Sequence, residues 1–222
     1  MENHTHVVVV YPHPDDESFG ASGVSQKFRS LGIPVTYLCG TLGEMGRNMG
    51  TPPFANRETL PKIREKELQD ACHLLDIDYR LLGYRDKTIE FLDKAEVAAH
   101  IKSILEEIKP SLVITHYPGY AVHPDHDSLG AATIEAVRLM DEDKRPVVWA
   151  SAIARNFQDV LGKPDVYIEV ADFEKKLQAI FQHKSQAEGL MKKVEETFDG
   201  KDQYMEELKE RFGTERFFIW KF

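Results

Sequence analysis

Cysteine is scarce in this chain: two in 222 residues, Cys39 and Cys72. One lies in an apolar strand-like run and the other on an apolar helical stripe. That placement points to buried free thiols rather than a disulfide, and it suits a reducing cytoplasm. Basic residues are also short, 28 Lys and Arg against 37 Asp and Glu, for a net charge of −9. The deficit argues against nucleic acid or an anionic membrane as partner, because both demand a basic face. Long hydrophobic runs are missing as well. The apolar stretch after the N-terminus spans about five residues, far short of the roughly 20 that cross a bilayer as a helix. Met1 to His6 carries no basic region of a leader. No low-complexity tract, linker or solenoid-length repeat interrupts the chain. What remains is ordinary for a globular protein, 42% apolar and 29% charged. A chain of this length buries a core without staples, and one domain over residues 1–222 is expected.

The hydrophobic pattern predicts an α/β protein. Val7 to Tyr11 is a continuous, mostly β-branched run without alternation, the pattern of a strand buried on both faces of a parallel sheet. Ala21, Val24, Phe28 and Leu31 then recur at helical spacing, and Val35 to Cys39 reads as a second strand, giving a β-α-β opening. Residues 40–57 carry Gly40, Gly43, Gly46, Gly50, Pro52 and Pro53 around Glu44, Arg47, Asn48 and Arg57. The segment is too long for a simple connection and is a candidate substrate loop. Further helices are predicted from the stripes Leu60 to Leu75, Val97 to Ile108 and Leu129 to Met140. Further strands are predicted at Tyr79 to Leu82, Leu112 to Thr115, Val147 to Ile153 and Val166 to Val170. A charged helical tail covers 172–211, and a last strand is placed at Phe217 to Trp220. The expected architecture is a Rossmann-like three-layer fold with a mostly parallel sheet and its site at the carboxyl ends of the strands.

Two short stretches echo one another, His13-Pro14-Asp15-Asp16 and His123-Pro124-Asp125-His126. Each follows a buried-strand run and precedes a helical stretch. Parallel strands would put both loops on one edge of the sheet, where His13 and Asp16 from a tight turn and His126 from the other loop can share an ion. Two imidazoles and a carboxylate form a catalytic zinc set that leaves a position for water. Asp15 could then take the proton from that water as general base. His123 could serve as proton donor or oxyanion partner, with Asp125 orienting it and keeping it protonated. His116 is close enough to support the site, whereas His4 and His6 read as disordered and His73 and His100 as ordinary helix residues.

Other readings compete. Asp15, Asp16, Glu17, Asp125 and Asp127 stand where helices begin and are favoured there by the helix dipole alone. A nucleotide-binding protein would need Gly-x-Gly-x-x-Gly directly after the first strand. The chain has Pro12-His13-Pro14-Asp15-Asp16 instead, and Gly20 and Gly23 are better explained by close helix–sheet packing. Two His and one carboxylate also describe a non-haem iron site, but that chemistry leaves Asp15 and the second His–Asp pair without a task. A non-catalytic metal-binding module remains as a further alternative.

The sequence resembles the PIG-L/LmbE-like family of zinc-dependent de-N-acetylases. The family's A-H-P-D-D-E motif is matched by residues 12–17 with Pro12 in place of Ala, and its H-P-D-H motif by His123 to His126 without change. Thr41-Leu42-Gly43-Glu44-Met45-Gly46, the pair Arg64 and Glu67, and His183-Lys184-Ser185-Gln186 match further family segments. The resemblance implies zinc on His13, Asp16 and His126 (with Fe2+ able to replace it in a cell), Asp15 as general base, and His123 as oxyanion partner backed by Asp125. It also implies Arg47 and Glu44 in the glycine-rich loop, Tyr120 and Arg64 as substrate-binding residues, and a homo-oligomer, trimer or hexamer. Within the family the chain most resembles the deacetylases of bacillithiol biosynthesis, which remove acetate from N-acetylglucosaminyl malate. Arg47, Arg57 and Arg64 would suit the malate carboxylates. N-acetylglucosamine, a chitooligosaccharide or another thiol-conjugate amide is the alternative substrate.

Overall fold

A computed structural model describes residues 4–196 and 201–222. The readings made for Met1 to Asn3 and for the tail at 197–200 lie outside the described residues. Seven strands form one sheet: β1 (Val7–Tyr11), β2 (Val35–Cys39), β3 (Asp78–Leu81), β4 (Leu112–His116), β5 (Val147–Ser151), β6 (Val166–Glu169) and β7 (Thr214–Ile219). Their order is β3-β2-β1-β4-β5-β7-β6. The first five are parallel, and β7 runs antiparallel to both β5 and β6. The helices are α1 (Asp16–Gly20), α2 (Ser22–Ser30), α3 (Leu60–Leu75), α4 (Lys94–Ile108), α5 (Pro124–Arg138), α6 (Phe157–Leu161), α7 (Phe173–Gln182), α8 (Lys184–Glu196) and α9 (Lys201–Phe212).

The unbroken apolar run of β1 follows from its place at the middle of the sheet, where all five residues are buried. Val7, Val9 and Tyr11 face a core that Phe28, Leu68, Cys72, Leu75 and Ala179 fill from α2, α3 and α7. Val8 and Val10 face the opposite core, filled by Ile101, Leu105, Leu129 and Val137 from α4 and α5. Helices on both faces of a parallel sheet give the three layers that the sequence led us to expect. Among the described residues no helix is long and apolar enough to cross a membrane.

Several details differ from expectation. The helix predicted from Ala21 is preceded by the one-turn α1, and the chain kinks between them at Ala21, whose φ of −143° is not helical. Strand β3 begins one residue earlier, at Asp78, and β5 ends at Ser151 rather than Ile153. The terminal strand inserts between β5 and β6, with Trp149 opposite Ile219, a seat that its own residues do not announce. His4 and His6 are not disordered. The His4 ring stands edge-on to Phe28 and Trp149 and its Nδ1 lies 3.1 Å from Ser111 Oγ. His6 Nε2 lies 2.9 Å from Thr36 Oγ1.

The glycine reading holds at Gly23, where an added Cβ would lie 2.7 Å from Val170 Cγ2 and 3.1 Å from the Glu215 carboxylate. That carboxylate, carried by β7, accepts the N–H groups of Gly23 and Val24 at 2.8 Å each, satisfying two free donors at the start of α2. Lys176 from α7 completes the arrangement, with Nζ 2.6 Å from Glu215 and 2.9 Å from the carbonyl of Phe19. Both charged side chains are buried, so removing one leaves the other uncompensated. Lys176→Met is expected to cost about 3–5 kcal/mol of stability, measured from urea unfolding midpoints. The double variant Lys176→Met/Glu215→Leu should lose less than the sum of the single changes.

Candidate metal and catalytic centre

The first tetrad leaves β1 through two prolines, which remove ladder donors and free the backbone to turn. The turn is stitched to its neighbour: Tyr37 Oη donates to the carbonyl of His13 at 2.6 Å, and the amide of Thr41 to that of Pro12 at 2.7 Å. Asp15 sits at φ 120°, a strained value for a residue with a side chain. Its amide donates to Glu17 Oε2 at 2.9 Å. The other Glu17 oxygen lies 2.6 Å from both Ser18 Oγ and His183 Nε2. Arg64, buried beneath the turn, donates to the carbonyls of Pro14 and Gly43 and stands 3.2 Å from Asp15 Oδ2. Gly43 must be glycine there: its φ is +60°, and a Cβ would lie 1.8 Å from Arg64 Nη1. Burial raises the Asp15 carboxyl to about 6, with Arg64 pulling it down and Asp16 pushing it up.

The second tetrad opens α5. His123 is the N-cap residue, and its Nδ1 accepts the amide of Asp125 at 3.1 Å. Helix α5 lies hard against the end of β4, since a Cβ on Gly130 would come within 2.5 Å of the His116 carbonyl oxygen. His116 is buried, and its ring stacks between Tyr11 and His126 at centroid distances of 4.1 and 4.2 Å. The stack fixes the plane of the His126 imidazole.

His13, Asp16 and His126 converge as the spacing predicts. His13 Nδ1 lies 3.1 Å from His126 Nε2 and 3.5 Å from Asp16 Oδ2, and His126 Nε2 lies 3.3 Å from the same oxygen. The other ring nitrogens say where the protons are. His126 Nδ1 faces the carbonyl of Ala121 at 3.1 Å, and His13 Nε2 faces Asp86 Oδ1 at 3.3 Å and Asp125 Oδ2 at 3.4 Å. Those acceptors hold N–H groups, so in the neutral rings His13 Nδ1 and His126 Nε2 present lone pairs to one point. With metal–ligand bonds of about 2.0–2.1 Å, the edge of a tetrahedral centre is about 3.3–3.4 Å. The three observed edges match it, and the residues fit a divalent cation. Burial pulls the His13 imidazole down, but Asp125, Asp16 and Asp86 outweigh it and hold it well above its ordinary range. Carboxylates that attract a proton so strongly favour a metal cation on the same grounds.

Other predicted residues stand differently. The Asp125 carboxylate does not orient His123. It accepts the amides of Lys87 at 2.7 Å and Ile89 at 3.1 Å and backs His13 instead. Burial, His13 and His126 lower the His123 imidazole, and Asp125 and Asp86 raise it without reversing the direction. Neutral and accepting at Nδ1, its ring carries the proton on Nε2 and is a hydrogen-bond donor all the same. One of its ring nitrogens lies within 4.8 Å of ligand atoms of His13 and Asp125. Arg64 is only 4% exposed and bonded to the turn, so it is a brace and not a substrate contact. Glu44 Oε1 accepts the amide of Asp86 at 3.0 Å, and its other oxygen is buried without a partner among the described residues. Arg47 is exposed and pairs with no described residue. Tyr120 is half-buried, its carbonyl accepting the amides of Ile153 and Ala154 at 2.9 Å each.

Three contributors escaped the sequence reading. Asp86 follows β3, and the rule that sites gather beyond the carboxyl ends of strands pointed to it. Glu17 was read as a helix-start acid and as the last residue of the first motif, with no role in the site. His183 was noted in its motif without a role. Glu67 and Ser185, from two further motif segments, meet at 2.6 Å.

The family model described as GlcNAc-PI de-N-acetylase, PIG-L, matches residues 8–137. The chain belongs to the PIG-L family. A Bacillus cereus protein named "Probable N-acetyl-alpha-D-glucosaminyl L-malate deacetylase 2" is 49% identical over 199 residues, covering 89% of this chain and 90% of the relative. Among solved structures, an N,N'-diacetylchitobiose deacetylase from Pyrococcus horikoshii aligns with a TM-score of 0.75 at 24% identity, covering 99% of this chain and 85% of that one. A 4-carboxy-2-hydroxymuconate hydratase from Pseudomonas putida also reaches 0.75, at 15% identity, covering 98% and 96%. These two likenesses establish the fold. The PIG-L match spans both tetrads, Asp86 and Arg64, and ends before His183.

Asp86→Asn keeps the shape but weakens the grip on His13 Nε2–H. Metal affinity, read by chelator competition, should fall about 10- to 100-fold.

Proposed function

We propose that this PIG-L protein is a zinc-dependent N-deacetylase that hydrolyses the acetamide of N-acetylglucosaminyl malate in the cytoplasm. The observation that carries the reading is the triangle of His13, Asp16 and His126 ligand atoms with Asp15 in the same turn and the His123 ring edge-on to that of His13. The 49% identity to a relative of that name supports the choice of substrate, and two buried free thiols suit a reducing compartment.

Zinc bound by His13, Asp16 and His126 would supply a Lewis acid that activates water at neutral pH and polarises the acetamide carbonyl. Asp15 accepts the proton from the attacking water. With its carboxyl raised to about 6 by burial, it is a usable base near neutrality and can return the proton. His123 donates Nε2–H to the oxygen that becomes negative as the carbonyl carbon turns tetrahedral, a task a neutral imidazole can perform. The C–N bond then breaks, the amine takes a proton from Asp15, and acetate and the free amino sugar depart. Asp86 and Asp125 keep His13 in one tautomer, while Arg64, Glu17 and His183 hold the Asp15 turn.

The chemistry of the ligand set also admits Fe2+. An alternative reading keeps the reaction and changes the substrate to N-acetylglucosamine or a chitooligosaccharide. Another denies hydrolysis and leaves a metal- or nucleotide-binding protein. An amine-release assay with N-acetylglucosaminyl malate and with free N-acetylglucosamine, run with added zinc and with chelator, separates them. We expect faster release from the malate conjugate and none with chelator; no release from either substrate sinks the proposal. Asp15→Asn should keep its metal and lose about 10²- to 10⁴-fold in kcat. His126→Ala should lose the metal itself, and undiminished zinc content in that variant would remove His126 from the ligand set.

A further inference from the structure

A cleft of about 470 Å³ opens beside the triangle, lined by Asp16, His116, Phe19, Phe212, Arg211 and Arg216 among others. It has the size of a small-molecule site. The charged groups in its wall are unevenly committed. Lys176 and Glu215 neutralise each other, with Glu215 also holding two amides of α2. Asp16 faces the two ligand imidazoles. The guanidinium of Arg216 donates only to the carbonyl of Thr214, at 3.2 Å, and that of Arg211 lies over the Phe212 ring at 4.8 Å. Neither arginine forms an ion pair with any described residue. A protein of net charge −9 thus presents two unpaired guanidinium groups in one cleft that shares a wall with the candidate ligand Asp16.

The arginines expected to receive the substrate's acid groups are placed otherwise. Arg64 is buried and bonded to the turn. Arg57 turns back onto Glu44 and Met45 of its own loop. Neither these two nor Arg47 lines the cleft.

We propose that Arg211 and Arg216 form the subsite that receives the carboxylates of the substrate's aglycone, a short dicarboxylic acid attached to the sugar. The inference rests on the N-deacetylase reading given above and locates its specificity at the junction of α9 and β7. Planar guanidinium forks bind carboxylates in two-point fashion, which a cleft with aromatic walls strengthens by excluding water.

The test compares kcat/KM for N-acetylglucosaminyl malate with that for the neutral methyl glycoside of N-acetylglucosamine, in the native protein and in Arg211→Gln, Arg216→Gln and the double variant. The ratio of the two should fall about 10- to 100-fold for each lost arginine, through KM for the malate conjugate. Arg216→Lys keeps the charge without the fork and should fall between native and Arg216→Gln, which separates recognition from misfolding. A ratio that holds in the double variant and collapses in Arg47→Gln would place the aglycone on the glycine-rich loop and overturn the proposal. A second readout does not depend on turnover: L-malate alone, titrated calorimetrically, should bind the native protein more tightly than the double variant. Equal binding overturns the subsite, whereas loss of binding alongside an inactive native protein supports it and counts against the deacetylase reading alone.

Discussion

Two imidazole lone pairs and a carboxylate oxygen point at one another across edges of 3.1 to 3.5 Å. With both rings neutral such electron-rich atoms repel, so a positive charge has to sit among them: a proton on His13, which Asp125, Asp16 and Asp86 favour, or the divalent cation proposed above. The fold spends many of its polar contacts on keeping them together. Asp86 and Asp125 grip His13 from behind, and each is itself fixed by backbone amides, Met45 for one and Lys87 and Ile89 for the other. Stacking on His116 and the carbonyl of Ala121 fix His126. The amide of His13 donates to Asp16 Oδ2 at 2.9 Å. This explains why the loops after β1, β2, β3 and β4 all close on one point, and why the parallel pairing of β1 with both β2 and β4 matters: it brings their carboxyl ends level.

A second set of contacts serves Asp15 and uses different atoms. A residue at φ 120° relaxes unless its surroundings forbid it. Here its amide is held by Glu17, its preceding carbonyl and its carboxylate by Arg64, and Glu17 in turn by His183 from far along the chain. The proposed ligand set and the proposed base are therefore braced separately, although they are neighbours in sequence. Damage to Arg64 or His183 should act on proton transfer before it acts on metal binding.

The parts of the molecule that were legible in sequence are those where one segment decides its own state. The buried run of β1, the stripe of α3 and the two His-Pro-Asp stretches are local patterns, and the parallel-sheet rule was enough to bring the last two together. The parts that were not legible depend on two segments at once. Nothing in Thr214 to Ile219 says that it will slot antiparallel between β5 and β6. Nothing in Arg64 says that its partners will be Pro14 and Gly43. Asp125 illustrates the same limit at atomic scale: its distance in sequence from His123 is two residues, and its carboxylate nevertheless serves His13, because the N-cap geometry of α5 turns His123 Nδ1 onto the Asp125 amide.

The same backbone is shared, at equal TM-score, with a deacetylase and with a hydratase. Fold therefore does not select the reaction. What selects it is the set of side chains at the rim, and these divide into two kinds. His13, Asp15, Asp16, His123 and His126 lie on short turns locked to the sheet and would treat any acetamide alike. The residues that could tell one aglycone from another lie where the PIG-L match has already ended, on α9 and β7, with Arg211 and Arg216 beside the cleft. On this reading a change of substrate needs no change in the two His-Pro-Asp turns, because the carboxyl-terminal segment lines the cleft without supplying a residue of the His13, Asp16 and His126 triangle.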